Sequence, residues 1–118
     1  TAFHEAAIHA PVVGWVAREV NRSRQQGIAP IAVSARPESA RTFTEQWLER
    51  VELDMTALFL RPNAWVTWSD VEAKRTMLTQ IRHSFDPIYA YEDKPEIASM
   101  WESEGIPTTL VLSESLTR

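Results

Sequence analysis

Cysteine is absent from the 118 residues, which excludes disulfides and thiolate metal sites and leaves the redox compartment open. No apolar run approaches the roughly 20 residues that a membrane span needs. The amino terminus carries no basic-then-apolar leader pattern, so a cytoplasmic protein without a membrane partner is expected. Positive charge is in short supply as well. With 12 Lys and Arg against 16 Asp and Glu the formal net charge is −4, which argues against a wholesale basic surface for duplex nucleic acid. A local cationic groove for one strand end remains compatible with it. Internal repeats, low-complexity tracts and interdomain linkers are also missing. A chain of this length with 44% hydrophobic residues is long enough for one core and too short for two. One domain over residues 1–118 is expected. The chain opens on Thr1 rather than methionine, and its first residues read like the interior of a domain, so the expected domain is amino-terminally incomplete.

What is present alternates between two periods. Val12, Val13, Val16, Ala17 and Val20 recur at helical spacing, and Gly27 follows an Arg- and Gln-rich last turn as a stop. Ile31-Ala32-Val33 then reads as a short buried strand closed by Ser34-Ala35-Arg36-Pro37. From Glu38 to Val51 a second helix is expected, with Ala40, Phe43, Trp47 and Val51 on its apolar side. Ala57 to Leu60 is a strand broken at Arg61-Pro62. A loop with Asn63, Trp65 and Trp68 precedes a third helix, capped by Ser69 or Asp70, with Val71, Met77, Leu78 and Ile81 as its stripe, running to about Ser84. Pro87 to Tyr91 is the next strand. Pro95 suits the first turn of a fourth helix that buries Ile97, Met100 and Trp101 and stops at Gly105, and Thr108 to Leu112 is a last strand. Strands alternating with helices predict an α/β layered domain with a mainly parallel sheet.

In such a sheet ligands bind beyond the carboxyl ends of the strands. The two polar tips there, Ser34-Ala35-Arg36-Pro37 and Glu92-Asp93-Lys94-Pro95, therefore draw attention, as does Lys74 between them. Lys74 lies three, four and seven residues before Met77, Leu78 and Ile81, on the helix face that packs against the sheet. A buried ammonium needs an anion, and Glu92 and Asp93 stand where it would reach; the alternative is that Lys74 snorkels to water from the helix end. Adjacent carboxylates make a hard oxygen site for Mg²⁺, unless Asp93 merely caps the following helix. A hydroxyl and a guanidinium at Ser34 and Arg36 can hold phosphate oxygens, or form a turn and a surface ion pair. His4, His9 and His83 have no partners at metal-ligand spacing.

These residues, in this order, carry a resemblance. The sequence resembles the haloacid-dehalogenase (HAD) superfamily of phosphotransferases, and within it the phosphatase domain of phage-type polynucleotide kinase and its small stand-alone relatives. The carrying segments are Phe3 to Ala7, Ile31 to Ser39, Leu60-Arg61-Pro62, Ser69 to Lys74 and Ala90 to Pro95, followed by Met100-Trp101 and Glu104-Gly105-Ile106. The resemblance implies a three-layer Rossmann-like domain. It assigns Ser34 to the hydroxyl that holds phosphate and Lys74 to the lysine that neutralises phosphate and nucleophile. Arg36 becomes a substrate contact, Asp70 the neighbour of Lys74 in an Asp-x-x-x-Lys spacing, and Glu92 with Asp93 the acidic pair that holds Mg²⁺. Ala35 stands where the family has Gly, and Glu92 where it has Asp.

The superfamily's first motif, a strand ending in Asp-x-Asp whose first aspartate becomes phosphorylated, occurs nowhere in the chain. In the family it lies upstream of Phe3, on a central strand between those of Ile31 and Ile88. The expected sheet therefore lacks its central strand, which leaves backbone unpaired or forces its neighbours together. Truncation, a strand donated by another chain, and a catalytically silent binding or assembly module are the three explanations. The activity implied is Mg²⁺-dependent hydrolysis of a nucleic-acid 3′-phosphate or nucleotide phosphate, with Arg36, Arg61 and one of Trp65 or Trp68 engaging a single-stranded end. The tryptophans fit a core or lid role equally.

Overall fold

The computed structural model describes residues 4–10 and 16–111. Five strands, β1 (His4–His9), β2 (Ala29–Pro37), β3 (Ala57–Arg61), β4 (Phe85–Glu92) and β5 (Thr108–Leu110), form one sheet in the order β3-β2-β1-β4-β5. Every pairing is parallel. Four helices connect them: α1 (Val16–Gln25), α2 (Arg41–Arg50), α3 (Asp70–Ile81) and α4 (Pro95–Ser103). Short 3₁₀ turns stand at Glu38–Ala40 and Asn63–Trp65. The expected α/β class with a parallel sheet is what the chain adopts. Among the described residues no helix is long and apolar enough to cross a membrane.

Both faces of the sheet are covered, and strand alternation divides the core accordingly. Ala6 and Ile8 of β1, Ile31 and Val33 of β2 and Ala90 of β4 pack with Met77, Leu78 and Ile81 of α3 and with Ile97, Met100 and Trp101 of α4. A smaller cluster on Val20, Leu48, Leu53 and Val111 takes in Leu58 and Tyr91. The chain winds from β1 outward to β3, then crosses to β4 on the other side of β1. That reversal puts a crevice at the carboxyl ends of β1, β2 and β4.

The hole expected in the sheet does not exist. β1 lies where the missing strand was expected, with Ile8 opposite Ile31 on one side and Ala90 on the other. Neither unpaired rows nor direct pairing of β2 with β4 occurs, and the strand order needs no donor from another chain. Alanine is a poor strand former, so Glu5-Ala6-Ala7 gives little local signal. The strand forms because both its edges are hydrogen-bonded and because Ala6 and Ala7, wholly buried, occupy little volume between the layers.

Two helix details also depart from expectation. In α2 the inward residues are Thr44 and Leu48, while Phe43 is 61% exposed and Val51 39%. The Thr44 hydroxyl returns to the Ala40 carbonyl at 2.8 Å, which lets a polar residue occupy the buried face. Asp93 does not cap α4; the N-cap is Lys94, with no side-chain cap bond. Gly105 does end α4, at φ +87°, and the Ile106 amide then bonds the Trp101 carbonyl at 3.0 Å. Val12, Val13 and Leu112 lie outside the described residues.

Candidate functional site

Lys74 is placed by the start of α3. Ser69 is its N-cap: its hydroxyl accepts the Glu72 amide at 3.1 Å while the Glu72 carboxylate accepts the Ser69 amide at 3.3 Å, a reciprocal capping box. With the first turn fixed, Lys74 turns inward and is only 5% exposed. It does not snorkel. Its Nζ lies 3.3 Å from Oε1 of Glu92, the last residue of β4, itself 1% exposed.

Glu92 gathers further donors. The indole Nε1 of Trp101 donates to the same Oε1 at 3.1 Å, and the Lys94 amide donates to Oε2 at 3.4 Å. Burial nevertheless holds the Glu92 carboxyl above its ordinary value, outweighing Lys74 and Trp101, and Asp93 pushes it the same way. The Glu92 carboxyl, pushed up by burial and by its neighbour Asp93, invites a shared proton or a cation. Glu92 and Asp93 match Mg²⁺ in donor type and number, since that ion takes one or two carboxylates and keeps several waters. Among the described residues no group of three or more His, Cys, Asp or Glu gathers at metal-binding distance.

A second cluster adjoins the first. Arg61 at the end of β3 sets Nη2 2.6 Å from Oδ1 of Asp70, and Lys94 reaches Oδ2 of the same carboxylate at 3.0 Å. The Lys94 hydrogen bond, then the Arg61 charge, hold Asp70 below the usual carboxylate range. Asp70 thus ties the end of β3 and the starts of α3 and α4 together. Arg61 also donates from Nη1 to the Trp68 carbonyl at 3.2 Å, while its buried Nε has no acceptor. Lys94 belongs to both clusters, through its amide in one and its ammonium in the other.

Ser34 and Arg36 stand apart. The buried Ser34 hydroxyl accepts the Arg36 amide at 3.2 Å. The Arg36 guanidinium lies 5.8 Å above the Trp47 ring, a cation-π contact at the surface. Among the described residues neither side chain hydrogen-bonds to the Lys74–Glu92 pair. Trp65 and Trp68 stack on each other, centroids 4.3 Å apart.

Three contributors escaped the sequence. The helical spacing of Trp101 places it in the core, and nothing in that spacing announces a hydrogen bond to Glu92. Lys94 sits in a tip that was singled out, and its charge was the available signal. His9, at the carboxyl end of β1, is 1% exposed with neither ring nitrogen bonded. It stacks on Tyr91 at 5.1 Å, and burial, opposed by Glu19, lowers its pKa to about 4.

A larger cavity, about 810 Å³, lies away from these groups between α2 and β3. Glu45, Glu49, Glu52 and Asp54 line it, and four carboxylates disfavour a phosphate there.

No protein-family model and no curated protein matches the chain. Solved structures do. A chain of the Pnkp1/Rnl/Hen1 RNA repair complex superposes with a TM-score of 0.79 and 20% identity over 92% of this chain and 42% of its own. A chain from another structure of the Pnkp1/Rnl/Hen1 complex gives 0.81 and 20%, over 94% and 47%. The fold is common to all three, and this chain spans less than half the length of either of the other two.

Proposed function

We propose that this chain is the phosphate-handling part of a nucleic-acid end-processing enzyme, a Mg²⁺-dependent phosphomonoester hydrolase. Its substrate is a nucleic-acid 3′-phosphate or a nucleotide phosphate, and the attacking aspartate comes from upstream of residue 1. The observation that carries the reading is the buried Lys74–Glu92 pair beside Asp93. A desolvated ammonium and a buried carboxylate with a second carboxylate next to it in sequence, at the crevice of a parallel sheet, are costly to keep without an ionic ligand. The fold shared with chains of an RNA repair complex supports the nucleic-acid end as substrate.

In this reading Lys74 offsets the charge that grows on the phosphoryl oxygens, and Glu92 with Asp93 would hold Mg²⁺. That ion, when bound, supplies Lewis-acid polarisation of a phosphoryl oxygen. Ser34 donates its hydroxyl to a phosphate oxygen. Arg36 and Arg61 engage the strand, with Asp70 holding the Arg61 guanidinium in position. An aspartate oxygen forms a bond to phosphorus as the bond to the leaving oxygen breaks, and the leaving oxygen takes up a proton. Water then cleaves the acyl-phosphate, releasing phosphate and restoring the carboxylate.

A second reading, a phosphate-binding or assembly module without catalysis, is favoured by β1. It fills the position the resemblance reserves for the nucleophile strand, and its tip, His9-Ala10, carries no carboxylate. Phosphate release from a 3′-phosphorylated oligonucleotide with Mg²⁺ decides between them, measured on the 118-residue chain and on a form extended by its native upstream residues. Activity is expected only in the extended form, and Lys74→Ala within it should lose about 100-fold or more. A folded extended form that releases no phosphate leaves the binding module.

A further inference from the structure

β3 is an outer strand of the sheet, hydrogen-bonded to β2 alone. Its free edge carries backbone groups that can pair with another extended chain. Beside it lies the cavity of about 810 Å³, whose lining follows α2 from Arg41 to Glu49 and continues through Glu52. Leu48, Leu53, Met55 and Leu58 give that cavity an apolar floor, with the four carboxylates around it. Two of the four stand where the fold resists them. Glu49 is in the last turn of α2, the end whose dipole favours cations. Glu52 follows at φ +60°, a left-handed conformation ordinarily given to Gly or Asn. The neighbouring cations are already engaged, Arg41 by Glu38, Glu45 and the Leu58 carbonyl, and Arg24 by Asp54. Glu49 and Glu52 are left without an ion pair among the described residues. A cation on an aliphatic stem answers both the floor and the carboxylates, and lysine and arginine side chains have both parts. The carboxylates are spread along the cavity, and among the described residues no three of them converge as metal ligands would. Several cationic side chains in a row are therefore what the cavity suits, and a chain extended along β3 turns every second side chain to one face.

We propose that the free edge of β3 and the acidic cavity between α2 and β3 form a docking groove for an extended, lysine- or arginine-bearing segment of a partner protein. The segment adds a strand to the sheet through its backbone, and its basic side chains lie over the apolar floor and end on Glu49 and Glu52. Charge complementarity selects this occupant over a nucleic acid, which the carboxylates repel. The groove lies away from Lys74 and Glu92, so the proposal stands or falls independently of the phosphate reading.

Fluorescence anisotropy with a labelled short peptide, in which lysine alternates with valine and threonine, measures the docking. That peptide is expected to bind at least about tenfold more tightly than spermine or the same residues in shuffled order. Its binding should slow amide exchange at Ala57 to Leu60. Glu49→Gln combined with Glu52→Gly should weaken binding at least about tenfold. The urea midpoint of that variant should hold or rise, because Gly suits the left-handed turn, which separates lost docking from lost folding. Equal binding of the shuffled peptide or of spermine would reduce the groove to a site for any cation and overturn the proposal. So would binding without slower exchange in β3, binding unchanged in the variant, or no binding by the folded chain. A dimer of the chain in sedimentation that the same variant dissolves would assign the groove to a second copy and overturn it as well.

Discussion

Two buried titratable side chains pull the pH dependence of stability in opposite directions. His9 keeps a neutral ring in the folded chain until about pH 4, whereas the unfolded chain takes up that proton near 6.5. The unfolded state therefore binds more protons between these values, and the stability His9 contributes is lost as pH falls through the window. The loss amounts to about 3 kcal/mol. Glu92 has the reverse sign: its raised folded value makes ionisation costly as pH climbs above the ordinary 4.5. Urea unfolding at pH 7, 6, 5 and 4 should show the chain weakening steeply on the acid side. His9→Phe, which keeps a ring against Tyr91, should flatten that limb. Parallel curves for the two proteins would mean that His9 ionises in the folded state as freely as in water.

At the scale of single elements, α3 depends on its cap because it delivers both Asp70 and Lys74. Ser69→Ala should lower stability by about 1 kcal/mol, read as a drop in the urea midpoint at unchanged slope, and Ser69→Asp should restore most of it. An unchanged midpoint in Ser69→Ala would show that Glu72 alone fixes the turn. Local chemistry of this sort is what the sequence displays openly. Ser69 with Glu72, Pro95 at the head of α4, and the apolar run at Ile31 each act within one turn or one strand. The face of α2 is not legible in this way, because Phe43 looks like core and Thr44 does not, and only tertiary contact reverses that order. β1 was invisible for a related reason. His4-Glu5-Ala6-Ala7-Ile8-His9 becomes a strand through two partners distant in sequence, a property no window of residues contains. Of the candidate site, the Lys74–Glu92 proximity followed from helix periodicity and strand ends. The engagement of Trp101 did not, because it depends on how α4 lies across β4.

For the molecule as a whole, the position of β1 makes a testable hierarchy. Its amides bond inside the sheet rather than at an edge, so hydrogen exchange at Ala7 to His9 should be as slow as at the middle of β2 and β4. Exchange at Thr108 to Leu110, on the outer strand, should be faster. Fast exchange throughout β1 would show that the centre of the sheet opens independently of the rest. The same position constrains the order in which the protein is assembled. As synthesis proceeds, β1 finds one neighbour early, in β2, and the other only after β4 has been made, since His4 pairs with Phe85 across most of the chain. During translation the segment must wait with one edge open while the intervening helices emerge. Closing so long a loop costs chain entropy before any contact repays it. Folding should therefore be slow for a protein of this size, and a nascent chain stalled before β4 should hold β1 only weakly.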